Sequence, residues 1–101
     1  MFQAHDLIMS LIPQVVPVVK YNAPFFDYCG SYFCYLNKFK DHMYISFITK
    51  EHDLTSEALK IENLKMVSKV FIPDEATLHS DALAELIIHA AIVHERKFSK
   101  K

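Results

Sequence analysis

Glycine occurs once in these 101 residues, at position 30, and arginine once, at position 96. Each scarcity removes a class of function. A loop that cradles phosphate on backbone amides needs several glycines, so nucleotide-binding fingerprints of that kind are excluded. Bidentate recognition of phosphate or guanine needs the planar guanidinium fork, for which lysine is a poor substitute. Eleven basic residues face twelve acidic ones, a net charge of −1, which provides no general attraction for a polyanion. Nucleic acid is therefore not an expected partner. Arg96, Lys97, Lys100 and Lys101 read as the solvated end of a helix, where cations complement the helix dipole.

Cysteine is also sparse. Cys29 and Cys34 form a Cys-x4-Cys pair with no second pair to complete a zinc site, and the spacing is not that of a Cys-x-x-Cys redox motif. They are expected to be buried as small hydrophobes. His-Glu-x-x-His is absent, and His89 and His94 are five apart, about 140° around a helix, so they do not converge on one ion. No nucleophile stands beside an evident base, and no catalytic residue is assigned; the chain reads as a non-enzymatic protein.

Long apolar runs are lacking too. Leu7 to Val19 is apolar but follows Asp6 rather than a basic residue, is interrupted by Pro13 and Pro17, and precedes no small-residue cleavage site. Ala82 to Val93 is broken by Glu85 and His89 and is too short to span a bilayer. A cytoplasmic protein without membrane contact is the expectation. The length suits one domain over residues 1–101. Hydrophobic residues at 51% supply the dense core that a domain of this size requires.

What the chain has in quantity is ring surface. Ten aromatic residues lie between Tyr21 and Phe47. Before them, Phe2, His5, Ile8, Met9 and Ile12 recur at helical spacing. Pro13 ends that helix, and a short second turn through Val15, Val16 and Val19 is expected after it. From Asn22 the period becomes two. Gly30 and Ser31 are expected to form a type II′ turn, with Tyr28 opposite Phe33 and Asp27 opposite Cys34. Pro24, which has no amide donor, belongs at a strand start or an edge. Strands follow at about Ser31 to Phe39 and His42 to Thr49, the latter with Met43, Ile45 and Phe47 on one side. Thr55 to Lys60 is read as one helical turn, Met66 to Ile72 as a strand stopped by Pro73, and Ser80 to Lys97 as a helix. The core stripe of that helix is Leu83, Leu86, Ile87, Ala90 and Val93. Ala84, Ile88, Ala91 and Ile92 widen its apolar arc, so either the first helix covers the flank or the flank meets another copy.

The resulting expectation is an α+β two-layer sandwich, with N- and C-terminal helices on one face of a four- to five-stranded antiparallel sheet. Alternation sends about half of the rings to the helix-covered face. Phe26, Tyr28, Tyr32, Tyr35 and Tyr44 are assigned to the other face or its rim, a surface for a partner, a ligand or self-association as a homodimer.

The segments "IPQVVPVVKYNAPFF", "YLNKFKDHMYISF" and "KMVSKVFIPD", in this order before a C-terminal helix, resemble the YdhG-like family of small bacterial domains, a domain of unknown function. The resemblance rests on Lys20-Tyr21 with Pro24 and Phe26, on Phe39-Lys40 with His42, and on Phe47. It implies a helix–antiparallel sheet–helix sandwich similar in outline to frataxin, and with it a frataxin-like intracellular iron chaperone as the alternative function.

Lys40 and His42 are the candidate polar site. Two apart in an extended strand, they share a face with Tyr44 and line up to hold a carboxylate or phosphate over the rings from Tyr21, past Pro24, to Phe26. No cofactor is expected on this reading. The iron alternative requires several oxygens close together, and Asp27, Asp41, His42, Glu51 and Asp53 are its candidate ligands.

Overall fold

The computed structural model describes residues 2–49 and 54–98. The chain runs α1 (Phe2–Leu11), β1 (Val16–Lys20), β2 (Ala23–Tyr28), β3 (Ser31–Phe39), β4 (His42–Ile48), β5 (Ile61–Asn63), β6 (Val67–Ile72), α2 (Glu75–Leu78) and α3 (Asp81–Phe98). One antiparallel sheet of six strands has the order β1-β2-β3-β4-β6-β5. The α+β sandwich stands, with six strands where four to five were expected; β1 and β5 are the two not located in the sequence.

The first added strand is β1, which replaces the expected helical turn. Val-Pro-Val-Val is β-branched around a proline, and an edge strand accommodates both. Hydrogen-bonded and non-bonded pairs alternate outward from Lys20↔Ala23, the pair that closes the hairpin. Pro17, opposite Phe26, therefore turns its donorless nitrogen toward the free edge. The missing amide lies where a neighbouring strand would seek it, a common protection for an edge.

The second is β5, where Ile61, Glu62 and Asn63 pair with Val70, Lys69 and Ser68. Both β4 and β5 are antiparallel to β6, so they run parallel to one another and their connection crosses the sheet. Residues 54–60 of that connection are irregular rather than helical. Leu54 and Leu59 anchor them in the core. Asn63 grips Leu54 twice: its Oδ1 accepts from the Leu54 amide at 3.1 Å and its Nδ2 donates to the Leu54 carbonyl at 3.0 Å.

Three two-residue hairpins connect β1 to β2, β2 to β3 and β3 to β4. Their central residues, Tyr21-Asn22, Cys29-Gly30 and Lys40-Asp41, all have positive φ, between 53° and 79°. That is the type I′ signature, whose twist matches the flanking strands. The second hairpin thus turns on Cys29-Gly30, one residue earlier than expected, and pairs Tyr28 with Ser31 and Asp27 with Tyr32. A bulge restores the register: Phe26 faces Cys34, leaving Phe33 as the extra residue of β3. Phe33 and Cys34 are consequently both buried. Cys29, expected to be buried, is exposed at the turn.

Among the described residues every helix packs on one sheet face. Ala4, Ile8, Leu78, Leu83, Leu86, Ile87 and Ala90 meet Phe26, Phe33, Leu36, Ile45, Phe47, Val70 and Ile72 in a single core. The expected stripe of α3 is buried, Val93 included. α1 lies beside α3, and Ala91 is covered with the stripe, while Ile88 and Ile92 remain 42% exposed. Asp74 caps α2 by accepting from the Thr77 amide at 2.9 Å, and Ser80 accepts from the Leu83 amide in the first turn of α3. No described helix is long and apolar enough to cross a membrane.

Candidate ligand-binding face

Strand alternation assigns each side chain to a face, and the register assigns its neighbours. On the helix-free face one rung across the sheet reads Glu62, Lys69, Ser46, Tyr35, Phe25, Val18. The rung beside it reads Phe71, Tyr44, Asn37, and the Phe71 amide bonds the Lys60 carbonyl, which brings Lys60 alongside. Asn37 and Ser46, joined at 3.3 Å, form a polar divide in the middle. Rings gather on either side of it.

The cluster toward β1 centres on Phe25. Its ring stacks on Tyr35 at 4.7 Å and meets Tyr32 at 5.3 Å and Tyr21 at 6.0 Å. The Lys20 ammonium lies 5.4 Å above the Tyr32 ring. Its bond with the Tyr32 hydroxyl is the largest influence raising the lysine pKa. These neighbours leave Phe25 only 8% exposed although no described helix covers it.

The cluster toward β6 is more open. His42 meets Phe71 edge-on, at 5.2 Å and 74°, Tyr44 meets Phe71 at 5.5 Å, and the Lys69 ammonium stands 5.0 Å over the Tyr44 ring. Together with Lys60 and Glu62 these side chains line a concavity of ≈ 460 Å³, within the range of about 300–1,000 Å³ typical of small-molecule sites.

A larger concavity, ≈ 640 Å³, lies at the turn end between Asp41, Met43, Ile72 and α2. Two of its three acids, Asp74 and Glu75, are engaged in holding the fold. Asp74 accepts from the Thr77 amide and hydroxyl, which lowers its pKa, and Glu75 accepts from Gln3 at 2.9 Å. The sheet-face concavity is therefore the candidate site.

Of the six residues assigned from sequence, His42 and Tyr44 fall in this site. The other four do not. Phe26 is fully buried under α1, where its ring meets His5 at 5.3 Å; Phe25 takes its place on the outer face. Pro24 pairs with Val19 and shares the parity of Phe26, so it belongs to the helix side. Tyr21 sits on the β1–β2 turn, 85% exposed, in the other cluster. Lys40 occupies a type I′ turn at φ 53°, so the two-residue alternation that aligned it with His42 does not hold. Tyr28, assigned to the outer face, is also core: its hydroxyl donates to Glu95 and its ring lies against His94. His94 is buried and donates from Nε2 to the Tyr28 carbonyl at 2.7 Å.

The two described carboxylates named for iron are apart. Asp27 pairs with Tyr32 near one end of β3, whereas Asp41 and His42 adjoin Phe39 at the other, roughly 20 Å away along the strand. Glu51 and Asp53 lie outside the described residues. Among the described residues no group of three His, Cys, Asp or Glu side chains is placed to hold a metal ion.

Phe71, Lys69, Lys60, Glu62 and Phe25 are members of this face that the sequence reading missed. For Phe71 a signal exists: in "MVSKVFI" it shares parity with Lys69, opposite Val70 and Ile72, so strict alternation assigns it to the solvent side. For Lys60 none exists, because β5 is too short to show a period.

Comparison of the chain with protein-family models, with curated proteins and with solved structures finds no match.

Proposed function

We propose that this chain is a non-enzymatic binding module and that the helix-free sheet face is its binding surface. The observation that carries the reading is the concentration of rings there. Tyr21, Phe25, Tyr32, Tyr35, His42, Tyr44 and Phe71 lie on a side that no described helix covers. Rings on a solvated sheet face contribute little to a core, and clusters of ring surface of this kind commonly mark a contact surface. The concavity beside His42 and Phe71 offers a small ligand apolar walls with a few polar groups, the usual composition of a binding site. The YdhG-like resemblance agrees with this reading in fold and adds no ligand. The iron-chaperone alternative has no cluster of described residues behind it.

Saturation-transfer screening of a small-fragment library tests the proposal, run on the wild-type chain and on a Tyr44→Ala/Phe71→Ala variant with urea unfolding in parallel. Fragments should contact the sheet face and be lost in the variant, while stability falls by no more than about 1–2 kcal/mol, the scale of a half-exposed cross-strand ring pair. Fragments that bind only the helix side, or equal loss of binding and fold, would sink the reading.

A further inference from the structure

We infer that the concavity on β4, β6 and β5 takes a small anion carrying a planar ring, of the aryl carboxylate or aryl phosphate class. The inference rests on the reading of this face as a binding surface and adds the chemistry of the occupant. Three observations converge on it.

The first is charge. The walls carry two ammonium groups, Lys60 and Lys69, against the single carboxylate of Glu62. Although the whole chain is nearly neutral, this concavity has a net positive lining. Lysine suits a carboxylate or phosphate as a point charge, without the fork that the chain's scarcity of arginine denies it.

The second is the arrangement of the rings. Phe71 is met edge-on by His42 and at 44° by Tyr44. Three rings inclined to one another leave faces and edges turned to the concavity rather than a closed stack. A planar guest adds itself to such a set by offset or edge-to-face contact.

The third is the placement of the cations around the rings. The register places Phe71 beside Tyr44 on one rung, with Lys60 alongside, and Lys69 beside Glu62 on the next. The Lys69 ammonium also stands 5.0 Å over the Tyr44 ring, so ammonium groups border the rings and a guest carrying a ring and an anion on one frame meets both. Glu62 and Lys69 are directly opposed across β5 and β6, so the carboxylate competes with the guest for the same cation.

The test is an amide chemical-shift titration of the full chain with four compounds: benzoate, phenyl phosphate, benzamide (ring without charge) and inorganic phosphate (charge without ring). Benzoate and phenyl phosphate should bind at about 1 mM or tighter, with shifts concentrated at His42 to Ser46, Lys60 to Glu62 and Lys69 to Phe71. Benzamide and inorganic phosphate should be about tenfold weaker or worse. Lys60→Gln with Lys69→Gln should weaken phenyl phosphate about tenfold and leave benzamide unchanged. Glu62→Gln should strengthen phenyl phosphate about three- to tenfold, the effect of removing one like charge at close range in a largely solvated site. Benzamide binding as well as benzoate, or inorganic phosphate as well as phenyl phosphate, would overturn the inference. So would shifts confined to the Phe25 cluster, and each of these three results leaves the broader reading of the face intact. The absence of shifts at every helix-free-face residue with all four compounds would overturn both.

Discussion

The phenol of Tyr28 donates to the Glu95 carboxylate from a site where the ring is already walled by Phe33 and His94. A donor bonded to a carboxylate keeps its proton, and the covered ring adds a desolvation penalty for the phenolate. Together they push the Tyr28 pKa up to about 12. The ordinary value is about 10. In this interval the folded chain holds a proton that the unfolded chain has released, so this group's contribution is complete below about pH 10 and is lost as pH rises toward 12. Titration by tyrosinate absorbance should show one late-ionising phenol, absent in Tyr28→Phe. That variant should lose about 1 kcal/mol at neutral pH and show a shallower alkaline decline. A Tyr28→Phe chain with the same alkaline decline as wild type would disprove the assignment. At this scale the sequence is a poor guide. Tyr28 and His94 are separated by 66 residues, and no local pattern marks them as neighbours.

The hairpins set the sheet at the scale of elements. Five of the six central turn residues are not glycine: Tyr21, Asn22, Cys29, Lys40 and Asp41 all hold positive φ. For a residue with a Cβ this costs roughly 1–2 kcal/mol. Asp41→Gly should therefore stabilise the chain by about 0.5–1 kcal/mol in urea unfolding, because glycine adopts this conformation without a steric penalty. Gly30→Ala should cost a similar amount. Its added methyl would have open space, with no heavy atom within 4 Å, so the penalty is purely conformational. A destabilised Asp41→Gly chain would mean that the turn is not of this type. Strand positions were legible here because Met43, Ile45 and Phe47 alternate with His42, Tyr44 and Ser46. The register at Gly30 was not. A lone glycine fits either turn position, and the choice depends on a bulge that lets both Phe33 and Cys34 reach the core.

The two faces of α3 report on the molecule as a whole. Ile87 is fully buried between the helix layer and the sheet, while its neighbour Ile88 is 42% exposed. Ile87→Ala should cost about 2–5 kcal/mol, the range for truncating an enclosed aliphatic side chain. That is a large part of the few kcal/mol a small domain has in hand. Ile88→Ala should change stability by no more than about 0.5 kcal/mol. Denaturant midpoints of the pair check this orientation of the layer, and equal losses would contradict it. The width of the apolar arc on α3 finds its physical reason at this scale: α1 lies alongside and buries Ala90 and Ala91 with it.

Periodicity alone determined the fold class, the first and last helices and three of the six strands to within a residue or two. These are properties of a backbone whose side chains must separate into apolar and polar sides within a few residues. The candidate site was determined only at His42 and Tyr44. His42 and Tyr44 share a short strand and its parity, so local sequence places them together. Phe71 joins Tyr44 across a separation of 27 residues because β6, not β5, pairs with β4. Lys60 arrives because the crossing connection returns β5 to the outer edge. Those choices depend on how Leu54, Leu59 and Val70 fill the core, a packing condition among distant residues that only the tertiary structure resolves.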